Sequence, residues 1–504
     1  MPDPTTLNLT GPLPFATRPQ IGSAIPRWSE DDGRYSSRMP ETLSTERGAP
    51  AVTGPPTWLR RYRLDLLWGS VVVVLVVAAF VIPHLHLTWL TPVRNQTAGQ
   101  YKVLAQTAPL LGRWLPHLDW ATWVAVVVAA TVTIWGPAVA RIAPWRWLVL
   151  GTWVTSGVWA MALALIDGWK RGVVGRMAGS SSYLATIPRV TNIHAFIHGF
   201  ASHIVDGPGA WFISVAGDPP GALLTFVGLD RLGLRGPAWA AGFCVVAGTS
   251  AAAAVLITVR ALSGETMARR VAPFVAIGPV AIWIAVSADA YFGAVAAWGL
   301  TLLALSSART TRVPTVAAVG AGLLLGGSVY LDYGLVLMGI PVLAVVIVTG
   351  NARPLLGAAA GAAVVAAVFT GLGFWWFDGL SLVRQRYWAG IATDRPYAYW
   401  VWGDLAALTC AIGIPAATGL RRAFNGTALR ARQGINVLLV AFVLAVVAAD
   451  LTGLSKAETE RIWLPFAVWL VAAPALLPRR SHRFCLGLQA VGALLINSLL
   501  LTTW

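Results

Sequence analysis

The sequence predicts an all-α, polytopic integral membrane protein with about 13–14 transmembrane helices and one long external loop. Three observations predict it. Hydrophobic residues make up 57% of the 504 residues and charged ones 12%, whereas a soluble domain devotes about a quarter of its residues to charge. The apolar residues gather in long runs; a crossing needs about 20 such residues, in helical form because an open sheet would leave its edges unpaired in lipid. The net charge of +16 comes from Arg and Lys at the ends of those runs, the pattern that anchors cytoplasmic loops. It forms no compact basic domain of the kind that binds nucleic acid.

Residues 1–57, rich in Pro, Ser and Thr, read as a disordered tail without a charged-then-apolar signal peptide. Arg60, Arg61 and Arg63 precede the first apolar run, which makes the tail cytoplasmic. The runs are 64–81, 120–139, 147–166, 221–232, 238–259, 271–287, 291–305, 313–331, 334–348, 355–376, 399–420, 435–451, 462–477 and 485–501. They group as two N-terminal transmembrane helices (58–145), a core at 146–310 carrying the external loop 167–221, and C-terminal helices (311–504) with a polar loop at 378–398. Arg141 and Arg146 set the loop between the second and third runs inside, hence 167–221 outside. Arg260, Arg269 and Arg270 then conflict, because two full crossings after the long loop would put them outside as well. Either 221–232 is not a complete crossing, or the charge rule fails there. Cys244, Cys410 and Cys485 sit in apolar runs without metal-like spacing and read as small core residues.

The loop 167–221 holds most of the candidate chemistry, since connections are usually a few residues long. Asp167-Gly168 ends a run and places a carboxylate at the membrane surface, where it suits a general base or is a solvated boundary charge. In Gly217-Asp218-Pro219-Pro220-Gly221 the prolines fix the backbone and start a helix, so Asp218 is held rigidly or caps that helix. Tyr183 and His203 add hydrogen-bonding groups. His194 and His198 share a helical face, but without the Glu of an HExxH motif no metal ligands are assigned, and a divalent cation stays open as a cofactor. Arg384, Arg386 and Arg395 suit bidentate grip on a phosphate, as do Lys170 and Arg171 beside Asp167. Tyr387, Trp388, Tyr397, Tyr399 and Trp400 offer ring faces to a substrate or form an interfacial belt. Asp289, Asp332 and Asp450 lie near run ends and read as interfacial. Lys456, Glu458, Glu460 and Arg461 read as a charged turn with helical pairing.

The order of these features resembles the GT-C superfamily of membrane glycosyltransferases, in particular lipid-linked aminoarabinose transferases and protein O-mannosyltransferases. There, a span ends in an acidic motif, a long external loop follows, and a His-Pro-Pro-type motif opens the next span. Asp167-Gly168, the loop through Tyr183 and Pro188, and Asp218-Pro219-Pro220-Gly221 look like that series, continued by Leu229-Asp230-Arg231-Leu232-Gly233 and Ala288-Asp289-Ala290. Asp218 stands where His is usual, and two spans precede the matching region.

The resemblance implies a GT-C-like catalytic core at 146–310 and a sugar, of mannose or arabinose class, moved from a polyprenyl-phosphate donor to an envelope glycan or lipid on the external face. It implies Asp167 as the base and Asp218 as a second catalytic residue. Lys170, Arg171, Arg384, Arg386 and Arg395 would then hold phosphate, and Tyr183, His203 and Tyr397 the substrate. The Ala-, Val-, Gly-, Arg- and Trp-rich composition resembles actinobacterial envelope proteins. The alternative is a secondary transporter or flippase of an envelope precursor, which would place its polar residues at the midplane in broken helices.

Overall fold

The computed structural model describes residues 57–85, 87–90, 107–179 and 182–502. The tail expected over 1–57 lies outside these residues except for Thr57, which begins the first helix. The described residues form an all-α bundle with one small ribbon, Gly112–Trp114 (β1) antiparallel to Leu500–Thr502 (β2). Its helices begin with α1 (Thr57–Val81), α2 (Trp120–Ile142), α3 (Trp145–Ile166), α4 (Tyr183–Thr186) and α5 (Ile193–Gly199). Then come α6 (Pro220–Arg231), α7 (Pro237–Thr249), α8 (Ala251–Ser263), α9 (Glu265–Ala276), α10 (Ala288–Ser307) and α11 (Pro314–Val329). The C-terminal part holds α12 (Gly339–Thr349), α13 (Pro354–Gly371), α14 (Trp376–Ala389), α15 (Tyr397–Ile412), α16 (Ile414–Ala423), α17 (Gly434–Leu451), α18 (Leu464–Leu470) and α19 (His482–Leu499).

Seven helices among the described residues are long and apolar enough to cross a membrane, or up to eight if the pair α15–α16, bent by 105°, is one span. The expected 13–14 runs are helical, but several are too short to cross alone. The reason lies in what surrounds them. The segment 464–475 is buried along its whole length, so it packs against protein and need not match the lipid thickness. By contrast, only 17% of the apolar window of α2 is buried, and Trp123, Val127 and Ile142 face outward, as a lipid-facing helix requires.

The shortness of α6 bears on the charge conflict. Its 12 residues rise about 18 Å at 1.5 Å each, well under the roughly 30 Å of a hydrocarbon core. The next segment long and apolar enough to cross is Pro237–Ser263. Accordingly Arg269 donates to the carbonyls of Ala140 and Ala143 at 2.8 Å, and Arg260 stacks 4.4 Å over the Trp145 ring. The Arg-bearing loops thus share one end of the bundle. Asn351 donates to Ser307 O at 3.0 Å, Asn436 to Arg422 O at 3.0 Å, and Asp65 ties α1 to Arg421 and Arg422 there.

The opposite end gathers the polar loops. The ribbon joins the segment before α2 to the chain end, with Leu115 N donating to Leu499 O at 3.0 Å. Arg386 on α14 clamps the long loop by donating to Ile204 O at 2.7 Å and Trp211 O at 2.9 Å, and it pairs with Asp206 at 2.7 Å. We call the two the basic end and the acid end.

Candidate active site

At the acid end the carboxylates sort into two groups. Asp167 caps the C-terminus of α3 and is 6% exposed. Its Oδ1 lies 2.6 Å from His117 Nε2, and its Oδ2 accepts from Arg176 at 2.8 Å. The other ring nitrogen of His117 meets Leu115 O at 2.7 Å. Each oxygen of Asp167 thus has one partner, and the trio ties α3 to the segment that pairs with β2. Gly168 at φ +80° turns the chain sharply after it.

The second group is built around Asp218. The Pro219–Pro220 pair starts α6 without demanding amide partners. Gly221 then lets this helix start press on α11's end: a Cβ at that position would collide with the carbonyl oxygen of Tyr330. That close approach brings Asp218 beside Asp332, two residues beyond Tyr330. The Tyr183 hydroxyl donates to Asp218 Oδ2, and the Tyr183 ring stacks on Phe226 at 5.1 Å. Asp289 opens α10 with Ser287 as its N-cap and accepts from Arg461 Nη1 at 2.7 Å. Arg461 also reaches Glu458 at 3.3 Å, and Glu458 pairs with Arg395 at 3.1 Å.

A Gly221→Val substitution should therefore force α6 off Tyr330. Overpacking of this kind costs about 1–3 kcal/mol, read as a lowered thermal midpoint in detergent, and it should separate Asp218 from Asp332.

The electrostatics follow from that packing. Burial, then the charges of Asp332 and Asp289, push the Asp218 carboxyl well above the usual carboxylate range, while Tyr183 and Arg461 pull it back. Asp332 is pushed up to about 7, by burial first and by Asp289 second. Burial and the neighbouring Asp218 and Asp289 hold the Tyr183 phenol protonated far above its ordinary value, so it acts as a hydrogen-bond donor. Burial works against ionisation of Glu458, yet Arg395 and Arg461 together hold it below the usual range. A carboxyl raised toward neutrality beside a fixed cation is the arrangement a general base needs.

The remaining sequence candidates fall elsewhere. Lys170 and Arg171 are exposed, with Arg171 donating to Asp167 O at 3.2 Å. Arg384 is exposed, while Arg386 is the loop clamp described above. Arg395 is 4% exposed and is taken up by Glu458 and Lys456 O. His203 bonds Gly199 O at 2.9 Å and packs on Trp211. Tyr397 reaches Asp450 O at 3.4 Å. His194 and His198 stack on α5 with centroids 6.2 Å apart, and among the described residues no three His, Cys, Asp or Glu side chains gather as a metal set. Of the expected residues, Asp218 and Tyr183 come together; Asp289, Asp332 and Arg461 join them from positions first read as edges and turns.

A solved structure similar to this chain is the Archaeoglobus fulgidus oligosaccharyltransferase in complex with Zn and sulfate, at 13% sequence identity and a TM-score of 0.40. The similarity covers 70% of this chain and 53% of that one, so the chain spans about half the length of the archaeal protein. No family model matches the chain, and no curated protein matches it.

Proposed function

We propose that the protein is a membrane glycosyltransferase that moves a sugar from a polyprenyl-phosphate donor to a hydroxyl of an envelope glycan or lipid, with the Asp218 cluster as its active centre. The single observation behind this is the convergence of Asp218, Asp332 and Asp289 with Arg461 and Tyr183 at the acid end of a membrane bundle. With the Arg-bearing loops in the cytoplasm, the acid end faces outward. Sugar of mannose or arabinose class is the form of donor we assign.

In this mechanism Asp218 takes the proton of the acceptor hydroxyl, with Tyr183 fixing its orientation. The acceptor oxygen forms a bond to the anomeric carbon as the bond from that carbon to the phosphate oxygen breaks. The bond's electron pair leaves with the polyprenyl phosphate, and Arg461, whose side chain is 24% exposed, offsets the charge that develops there. Asp332 tunes Asp218 through its own charge. Holding the donor in the membrane next to the acceptor makes the encounter effectively unimolecular. Asp167, first expected as the base, is in this reading a clamp for α3, held by His117 and Arg176.

The test is transfer from radiolabelled polyprenyl-phosphate sugars to envelope acceptors by the purified protein in lipid; no transfer with any donor would remove the reading. Asp167→Asn separates the two acids. It should lower stability by about 3–5 kcal/mol, because it leaves the buried Arg176 without its charge partner, while the folded fraction turns over at the wild-type rate. Denaturation midpoint and rate per folded molecule check this together.

A further inference from the structure

Beside α4 lies a cavity of about 490 Å³ at the acid end, lined by Ser182, Ala185, Pro188, Asp230, Arg231 and Pro237 among others. It is distinct from the Asp218 cluster, yet the two share one turn of helix. Tyr183 turns to Asp218, while its neighbours Ser182, Leu184 and Ala185 line the cavity. Whatever occupies it therefore touches the residues that flank Tyr183, the hydrogen-bond partner of the proposed base. Its size falls within the roughly 300–1,000 Å³ of small-ligand sites.

The lining has a specific chemistry. The Ser182 hydroxyl oxygen is buried and meets no hydrogen-bond partner, which native structures rarely leave unexplained. Asp230 stands in the last turn of α6, where the negative end of the helix dipole disfavours an acid. Its nearest cation, Arg235 at 3.8 Å, is 75% exposed, so helix stability does not account for this carboxylate. Arg231 turns toward the wall, donating to Val190 O and Thr191 O at 3.4 Å. The cavity thus offers a hydroxyl and a carboxylate to hydrogen-bond donors, with Pro188 and Pro237 as apolar surface. The charges of Asp230 and Arg231 offset each other, which suits a neutral ligand, and the polar groups make the space costly for a hydrocarbon chain.

We propose that this cavity is the acceptor subsite and binds a neutral carbohydrate ring, with Asp230 and Ser182 accepting and sharing its hydroxyl hydrogens. The proposal rests on the glycosyl-transfer reading above, which assigns an acceptor but no place for it.

Saturation-transfer NMR on the full chain in lipid nanodiscs tests it without turnover. The probes are methyl α-mannopyranoside and methyl α-arabinofuranoside, with glycerol 1-phosphate as the anionic control. Wild type and Asp218→Asn should bind a glycoside equally, Asp230→Asn should bind it at least tenfold more weakly, and Ala185→Trp, which fills the cavity from an exposed position, should abolish binding. Absence of glycoside binding in the wild type, binding that survives both cavity substitutions, or preference for glycerol 1-phosphate would overturn the subsite. Glycoside binding that the cavity variants lose, in a protein that transfers no sugar, would support the subsite and sink the transfer reading alone. Transfer with an unchanged acceptor KM in Asp230→Asn and Ala185→Trp would sink the subsite alone.

Discussion

Asp218→Asn is expected to cut sugar transfer by about 10²–10⁴-fold, the usual contribution of a general base, with little change in the folded fraction. The side chain keeps its shape, and its oxygen still accepts from the Tyr183 hydroxyl; only the capacity to take a proton is lost. The wild-type rate should show an acidic limb. A base works unprotonated, and burial together with the charges of Asp332 and Asp289 holds the Asp218 carboxyl well above the usual carboxylate range. Transfer should therefore fall as pH is lowered through that raised range and rise to a plateau above it. Asp332→Asn removes one of the charges that raise Asp218, so its acidic limb should move to lower pH. A limb that does not move would break the link between the two carboxyls. Rate against pH, with the donor saturating, reads all of this.

Arg461→Ala should produce a large loss of stability. Arg461 bridges Asp289, which is 10% exposed, and Glu458, which is 18% exposed. Removing the guanidinium leaves buried Asp289 without a cation and Glu458 with Arg395 alone, and breaking a buried pair from one side costs about 3–5 kcal/mol. Domains are stable by only about 5–15 kcal/mol, so the variant should unfold at much lower denaturant or temperature. The same change removes the cation facing the leaving phosphate, so any folded fraction should also transfer slowly. Arg461→Lys should lie between: it keeps the charge but loses the planar fork that reaches both acids. A midpoint for Arg461→Ala within experimental error of wild type would mean that the Asp289–Arg461–Glu458 chain is not what holds this end together.

Much of the architecture was legible because lipid imposes simple rules. The runs at 120–139 and 147–166 became α2 and α3 within a few residues, since a crossing demands both length and apolar character. The ambiguous run at 221–232 required a length judgement and a contact: α6 is too short to cross, and Arg269 touches the Ala140–Ala143 turn. Runs such as that of α18 read as crossings because a helix buried in protein and one buried in lipid are equally apolar.

The site was legible where chemistry is local. The Pro-Pro-Gly after Asp218 announced a rigid helix start, and that start seats Asp218. Long-range partners left no such trace. Arg461 lies 172 positions from Asp289 and looked like part of a charged turn; His117, 50 positions before Asp167, drew no attention at all. For Asp332 a local cue existed in its flanking tyrosines, since an acid between Tyr330-Leu331 and Tyr333 is an odd sequel to an apolar helix. Asp167 shows the same limit: an Asp-Gly at a helix end looks like an open base, and nothing local to it announces the partners His117 and Arg176.

The most direct measurement is the transfer rate per folded molecule, from one radiolabelled polyprenyl-phosphate sugar, for Asp218→Asn and Asp167→Asn side by side. The account predicts a loss of at least about 10²-fold for Asp218→Asn and a wild-type rate for folded Asp167→Asn. The reverse outcome, an active Asp218→Asn and an inactive but folded Asp167→Asn, would contradict it and return the base to Asp167.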